Sequence, residues 1–354
     1  MEYFINHQNF ADLVKKLLET SRVLAPIEQY GRNYIQEVNA DNLQSINLFG
    51  YRTVEPFKSC FFAIDEVVDK YFDGKTGPEA EKLTIIGARG CDLEALEVED
   101  RVFGEGEFKD PFYTKKRESS FIIGADCTGC GATCFCTLVK GKPWPLQRFD
   151  LNLSPIIGGF IAEAGSEKGK QFIEDNRSLF ETASEAGLQA KVNNRQKVLE
   201  LLAQVNEAYK FKREIAESHK LNLENAAWRS LTKDCVECSC CNLICPTCTC
   251  FLLADTGDRG AGTGDRGEFE RHKIWDACLK AGYQKVAGGS NPRGKLYQRL
   301  QNRYHCKMDY SYDRLGRYTC VGCGRCIDGC AGNIDMRKIF AELERQAPLT
   351  AKLV

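Results

Sequence analysis

The chain has 354 residues, 48 basic and 49 acidic side chains, a formal net charge of −1, and 19 cysteines. That balance gives no footing for nucleic acid or an anionic surface, and no stretch approaches the ~18 apolar residues of a membrane span. The opening MEYFINHQNFADLVKKLLET has no charged segment followed by an apolar one. No export signal is therefore expected, the expected location is a reducing cytoplasm, and so many cysteines point to metal rather than disulfides.

A length of 354 suggests two domains or three small ones. Residues 8–19 place Phe10, Leu13, Val14, Leu17 and Leu18 on one helical face. Short strands are expected at residues 22–26, 34–38 and 60–64. Residues 83–87 (LTIIG) and 121–124 (FIIG) are runs of the buried-strand type, with a helix between them at 92–98. Residues 156–162 (IIGGFIA) predict a further strand. This alternation predicts an α/β domain over residues 1–190.

From residue 191 to 354 the pattern turns helical. Val198, Leu201, Leu202, Val205, Ala208, Tyr209 and Ile215 fall at helical spacing within residues 192–220. Trp228 is expected as core packing. Helices are predicted at 269–280, 294–303 and 334–345. The repeats Gly257-Asp-Arg-Gly260 and Gly264-Asp-Arg-Gly267 predict a surface loop. The Gly260-Ala-Gly262-Thr-Gly264 stretch is no phosphate loop, because no strand feeds it and no Lys-Ser/Thr follows.

Within this second half, eight cysteines form two copies of one pattern. They are Cys235-x2-Cys238-x2-Cys241-x3-Cys245, followed by Pro246, and Cys320-x2-Cys323-x2-Cys326-x3-Cys330. Two-residue gaps let a chain curl around three corners of an iron–sulfur cube. The three-residue gap carries the fourth thiolate to the neighbouring cube. The spacing predicts two [4Fe–4S] clusters, one held by Cys235, Cys238, Cys241 and Cys330, the other by Cys320, Cys323, Cys326 and Cys245. Zinc knuckles share the C-x2-C step but need only four thiolates, not two runs of four with matched gaps. The fold expected is thus α+β: an N-terminal α/β domain (1–190), then a mostly helical domain (191–354) containing a dicluster ferredoxin-like module with a long insertion between its runs.

A third site is suggested nearer the N-terminus. Cys91 follows the LTIIG run, and Cys127, Cys130, Cys134 and Cys136 follow the FIIG run. Ligands gather where parallel strands open into loops. If the two strands are adjacent and parallel, these cysteines meet. A cubane, a zinc ion and a set of buried thiols all remain open. The cubane is preferred, with Cys91, Cys127, Cys134 and Cys136 as ligands and Cys130 spare. Cys60 reads as a core residue. Cys240, Cys248 and Cys250 are expected to pack beside the first run, and the His305–Cys306 neighbours to point apart.

Several segments carry a family resemblance. They are Gly87-Ala-Arg-Gly-Cys91-Asp92, Asp100-Arg-Val-Phe103, Thr133-Cys-Phe-Cys136, Cys245-Pro-Thr-Cys-Thr-Cys-Phe251, Trp275-Asp-Ala-Cys278, Asn291-Pro-Arg293 and Cys320-Val-Gly-Cys-Gly-Arg-Cys326. With them the chain resembles the two-cluster iron–sulfur subunits that include the sulfhydrogenase beta subunit, the A-type subunit of anaerobic sulfite reductase and the B-type subunit of flavin-linked heterodisulfide reductase complexes. The resemblance implies a cytoplasmic electron relay. It implies contact with a flavin/NAD(P)-binding subunit, and with a further iron–sulfur or catalytic subunit. It also implies cluster roles for Cys91, Cys127, Cys134 and Cys136. Ala331 stands where the second run usually carries proline, Cys130 adds a cysteine, and Trp144-Pro145 replaces a glycine-rich stretch.

Three functions are therefore weighed. An electron-transfer subunit is expected. A self-contained iron–sulfur reductase of a small disulfide or sulfur substrate is the alternative, with Cys248 and Cys250 as its nearest thiols. A zinc-bearing structural or sensing protein is the third.

Overall fold

The computed structural model describes residues 2–71, 77, 81–222, 226–257 and 269–347. The chain begins β1 (Glu2–Asn6), α1 (His7–Leu18), β2 (Arg22–Gln29), β3 (Arg32–Glu37), β4 (Asp65–Tyr71), β5 (Leu83–Ala88) and α2 (Gly90–Glu99). It continues α3 (Pro111–Ser119), β6 (Ser120–Ala125), β7 (Leu151–Ile156), β8 (Gly159–Ala164), α4 (Glu167–Asp175), β9 (Glu181–Thr182) and α5 (Glu185–Val205). The remainder is α6 (Ile215–Lys220), α7 (Ala227–Leu231), α8 (Cys240–Leu243), β10 (Phe251–Gly257), β11 (Phe269–Trp275), α9 (Leu296–His305), α10 (Ser311–Leu315), α11 (Arg325–Asp328) and α12 (Met336–Gln346). The fold is α+β, as the sequence led us to expect.

Two compact units divide the chain. The first holds Met1–Lys58, Ala80–Ala208 and Val321–Gly324; the second holds Ser59–Glu79, Tyr209–Cys320 and Arg325–Val354. A single cut after residue 190 does not follow these units. Helix α5 runs on to Val205 and stays in the first, and each unit takes a segment from the other's stretch of sequence.

The first unit is built on an eight-stranded sheet in the order β3-β2-β5-β6-β7-β8-β1-β9. Strands β2, β5, β6 and β7 run parallel. Strands covered on both faces read as continuous apolar runs, which is why LTIIG and FIIG were legible. Helix α1 starts where the Asn6 side chain accepts from the Asn9 amide at 2.8 Å. Its Phe10, Leu13, Val14 and Leu17 are buried in a core with Ile86, Ile123, Leu151 and Leu153. Each such side chain contributes about 1.5–3 kcal/mol by leaving water.

One expectation here needs correction. The 156–162 run is a hairpin, with Ile156 paired to Gly159 across a turn at Ile157 and Gly158. Gly158 has φ +86°, and a Cβ on Gly159 would lie 2.2 Å from the Ile5 carbonyl oxygen. The glycine pair therefore serves the turn and the β1 contact, not a strand interior.

The second unit carries a three-stranded antiparallel sheet, β10-β11-β4. Two expectations fail in it. Residues 60–64 precede a strand instead of forming one: Phe61 and Phe62 are buried, Phe62 lies 5.4 Å from the Trp275 ring, and β4 starts at Asp65. The 269–280 segment opens as strand β11, because FERHKIW is flanked by partners on both edges. Lys273, in the middle strand, is buried against Glu66 at 2.6 Å. Of the predicted glycine-rich loop, Gly257 ends β10 and the rest lies outside the described residues. Helices α9 and α12 form close to the positions predicted.

Trp228 is a core residue, 1% exposed, and its indole donates to the Asn222 carbonyl at 3.0 Å. Around it pack Tyr304, His305 and His219, with Phe340 against His219 and Tyr304. His219 is fully buried, and among the described residues neither ring nitrogen has a hydrogen-bond partner. Burial, with His305 beside it, holds its imidazole down at about 3.

An unfolded His219 binds a proton near pH 6.5 while the folded one does not. Its contribution to stability is therefore complete above about pH 6.5 and falls by about 1.4 kcal/mol per unit as the pH drops toward 3. The expected outcome is that wild type loses more stability than His219→Phe between pH 7 and 5.5, read as denaturation midpoints. Equal losses would contradict it.

Candidate iron–sulfur centres

The first cysteine run lies in the second unit and curls as its spacing requires. Glu237 and Ser239 take left-handed backbone angles, φ +56° and +60°. They turn the chain so that Cys235, Cys238 and Cys241 face one cavity, with Cys330 and Cys326 on the same wall. The space they surround, counting what is open to solvent, is about 430 Å³. A Cβ on Gly332 would lie 2.1 Å from the Asp234 carbonyl oxygen, so glycine there lets the second run approach the first. The short helix α8 carries the chain onward to Cys245, which is buried beside Cys248 and Thr247.

Two buried cations face these sulfurs. Arg303 is 2% exposed and donates to the Cys241 carbonyl at 2.8 Å, while its Nε has no acceptor among the described residues. Lys307 is 3% exposed and donates to Thr247 Oγ1 at 2.8 Å. Among the described residues neither pairs with a carboxylate. Burial alone would pull Lys307 down, but the sulfurs of Cys245 and Cys248 hold it well above the usual lysine value. Burial opposes Arg303 likewise, and Cys241, Cys326, Cys248 and Cys245 hold it up. In return the Cys248 thiol, which donates to Cys245, and the two cations hold Cys245 well below the usual cysteine value. A buried cation without a partner is costly. Thiolates, or an anionic thiolate-held cluster, supply the missing charge.

The second cavity lies in the first unit. Strands β5 and β6 are adjacent and parallel, pairing Ile85 with Ile122. Helix α2 leaves β5 at Gly90, where a Cβ would lie 2.6 Å from the Lys142 and Trp144 carbonyl oxygens. That close turn sets Cys91 in the first turn of α2. Cys127 follows β6 directly after Asp126, a buried carboxylate that accepts from Asn152, Ser154 and Arg195 at 2.7–2.9 Å. Arg89 donates to the Asp126 carbonyl and, at 3.2 Å, to that of Phe49. The strand ends are thus pinned, and Cys91, Cys127, Cys130, Cys134 and Cys136 line one cavity.

Burial pushes the Cys127 thiol up to about 12, Cys130 to about 11, and Cys136 above its usual value. A metal there displaces those protons. No disulfide links any of the 19 cysteines.

Two features of this cavity were missed in the sequence. Cys130, set aside as spare, is on its wall, and so is Cys323. Cys323 arrives on Val321–Gly324, which belongs to this unit. The Gly322 carbonyl accepts from the Phe135 amide at 2.8 Å, and Arg52 donates to the Cys323 carbonyl. Gly322 has φ +63°, and a Cβ on it would lie 2.5 Å from the Cys136 Cα. Only the glycine spacing of Val-Gly-Cys-Gly hinted at so close an approach. Cys320 is buried in the second unit. Cys240 is packed against Gly329 in that unit, and Cys306 is exposed, with His305 turned to Asp309 at 2.6 Å.

Two outcomes are expected. In Arg303→Met a cluster beside the lost cation becomes harder to reduce, its midpoint falling on the order of 50 mV, the one-electron equivalent of about 1 kcal/mol; an unchanged titration would contradict this. Gly322→Ala forces its Cβ into Cys136, so it lowers the iron content without touching a cysteine, and wild-type iron would refute the tight approach.

Residues 234–334 match the 4Fe-4S dicluster domain family. The match spans both cysteine runs. The chain is also 28% identical to the sulfhydrogenase 2 subunit beta of Pyrococcus furiosus over 348 residues, 96% of this chain and 97% of that one. The chain is thus similar to dicluster iron–sulfur domains over residues 234–334, and to a sulfhydrogenase β subunit over nearly its whole length.

Proposed function

We propose that this protein is an electron-relay subunit of a multi-subunit oxidoreductase of the hydrogenase type. The observation that carries the reading is the coincidence of the dicluster match at 234–334 with the two four-cysteine runs. The likeness to a sulfhydrogenase β subunit over nearly the whole chain supports the kind of complex. Among the described residues no helix is long and apolar enough to cross a membrane.

A [4Fe–4S] cluster, when bound, stores one electron with little change of shape. The chain's own residues do the rest. In this reading Cys235, Cys238, Cys241 and Cys330 hold one cluster; Cys320, Cys326 and Cys245 belong to the other, while Cys323, predicted from spacing as its fourth ligand, lines the cavity of the first unit. Cys91, Cys127, Cys134 and Cys136 hold a third. Arg303 and Lys307 offset the buried negative charge and so favour the reduced state. The protein sets burial, hydrogen bonding and charge, and leaves the redox chemistry to its cofactors.

A relay acts only with donors and acceptors. The partners we propose are a flavin/NAD(P)-binding subunit on one side and an iron–sulfur or catalytic subunit on the other, in the cytoplasm. Sulfite reductase and heterodisulfide reductase complexes use the same logic and are the nearest variants of the proposal.

The reading is tested by reconstitution with subunits encoded beside it. The expected result is a stable complex in which nucleotide-driven reduction of the terminal subunit needs this chain. A monomer that leaves every such reaction unchanged would overturn it. Cys134→Ser is expected to lose about four irons, one cube's worth, and Cys240→Ser none; iron unchanged in the first variant removes the third cluster.

A further inference from the structure

Two cysteines outside the proposed ligand sets, Cys278 and Cys248, contact one buried amide, and a third, Cys250, adjoins Cys278. Asn242, on α8, is 1% exposed. Its Nδ2 lies 3.2 Å from Cys278 Sγ and 3.7 Å from Cys248 Sγ, and its Oδ1 lies 3.7 Å from Cys241 Sγ. Cys250 closes the group. Its sulfur is hydrogen-bonded to Cys278 and takes a second bond from the Tyr283 hydroxyl.

The hairpin of β10 and β11 creates this pairing. Its last register pair is Phe251 with Trp275, and the Asp276 amide then donates to the Cys250 carbonyl at 3.0 Å. Cys250 and Cys278 thus leave the open end of the hairpin side by side. Gln284 holds the Cys278 carbonyl at 2.8 Å. Both cysteines are partly exposed. Two thiols in contact are one two-electron oxidation away from a disulfide.

We propose that Cys250 and Cys278 are a redox-active dithiol that reduces a small linear disulfide and is recharged from the neighbouring iron–sulfur centre. The recharging step rests on the relay function proposed above; the thiol chemistry does not. The bonds from Cys278 and Tyr283 pull Cys250 down to about 6, so it is the attacking thiolate, and the bond to Cys250 keeps Cys278 protonated as the resolving thiol.

The atoms and electrons balance. The Cys250 thiolate attacks one sulfur of R–S–S–R, forming a Cys250–S–S–R bond and expelling RS⁻. Cys278 attacks the Cys250 sulfur, expels the second RS⁻ and passes it the thiol proton. The Cys250–Cys278 disulfide then takes two electrons, one at a time from reduced clusters, and one proton from water, which regenerates thiolate and thiol. Contacts from Cys278 through Asn242 to Cys248, and from Cys248 to Cys245, join the pair to the first cysteine run.

The test uses the anaerobically prepared, iron-loaded full chain and bis(2-hydroxyethyl) disulfide. Alkylation and mass spectrometry before and after mild oxidation are expected to find Cys250 and Cys278 as a linked pair in the oxidised protein. Dithionite-reduced clusters are expected to be reoxidised by the disulfide. In Cys250→Ser and Cys278→Ser the iron is retained while the rate drops by at least about tenfold, as loss of either exchange partner requires. Wild-type rates in both variants, no linked pair, or iron lost from the variants would each overturn the proposal, the last by making these cysteines ligands. The alkylation arm needs no variant to fold and no cluster to bind. A linked pair in a protein without iron would therefore refute the relay while sparing the thiol pair.

Discussion

Negative charge on buried sulfur has to be matched, and that constraint organises both halves of this protein. Arg303 and Lys307 are buried as completely as core leucines, yet they face sulfur rather than carboxylate. Two cations in such a place are costly unless anions are permanently beside them. The helix that carries them, α9 with its continuation through Cys306–Tyr310, is packed against the aromatic group of Trp228, Tyr304 and Phe340. That packing cannot relax outward to hydrate a charge. The core therefore makes sense with thiolates, or a thiolate-held cluster, in position.

The N-terminal cavity meets the same constraint by another route. Two buried arginines, Arg52 and Arg89, lie at this cavity, and Arg89 only partly offsets burial at Cys127. Burial raises Cys127 and Cys136, so these thiols stay neutral. Geometry is fixed beforehand. The buried Asp126 ties three side chains to the end of β6, and Gly90 allows α2 to start hard against the Lys142–Trp144 backbone. The cysteines are brought together by the sheet, whereas in the second unit cation and sulfur hold one another.

Much of this was legible in the sequence where a single local rule acts alone. LTIIG and FIIG read as strands because both faces are covered, and the prediction that Cys91 meets the 127–136 loop needed only their being adjacent and parallel. Local rules failed where a partner decides. IIGGFIA is apolar throughout, yet the turn at Gly158 and the approach of β1 to Gly159 split it in two. FERHKIW has no preference strong enough to resist pairing on both edges, so it is a strand. Cys323 belongs to a motif whose spacing predicts one set of neighbours. Its place beside Cys136 depends on Gly322 accepting backbone contact, which spacing does not encode. The Cys250–Cys278 pair was hidden because only the β10–β11 register brings the two together.

The central claim is that buried cysteines in this chain hold iron–sulfur clusters. The most direct measurement is metal and acid-labile sulfide analysis of anaerobically prepared protein, with its visible spectrum before and after dithionite. The account predicts iron and sulfide in equal amounts and a broad brown absorbance that bleaches on reduction. Zinc in place of iron, with no absorbance to bleach, would contradict it.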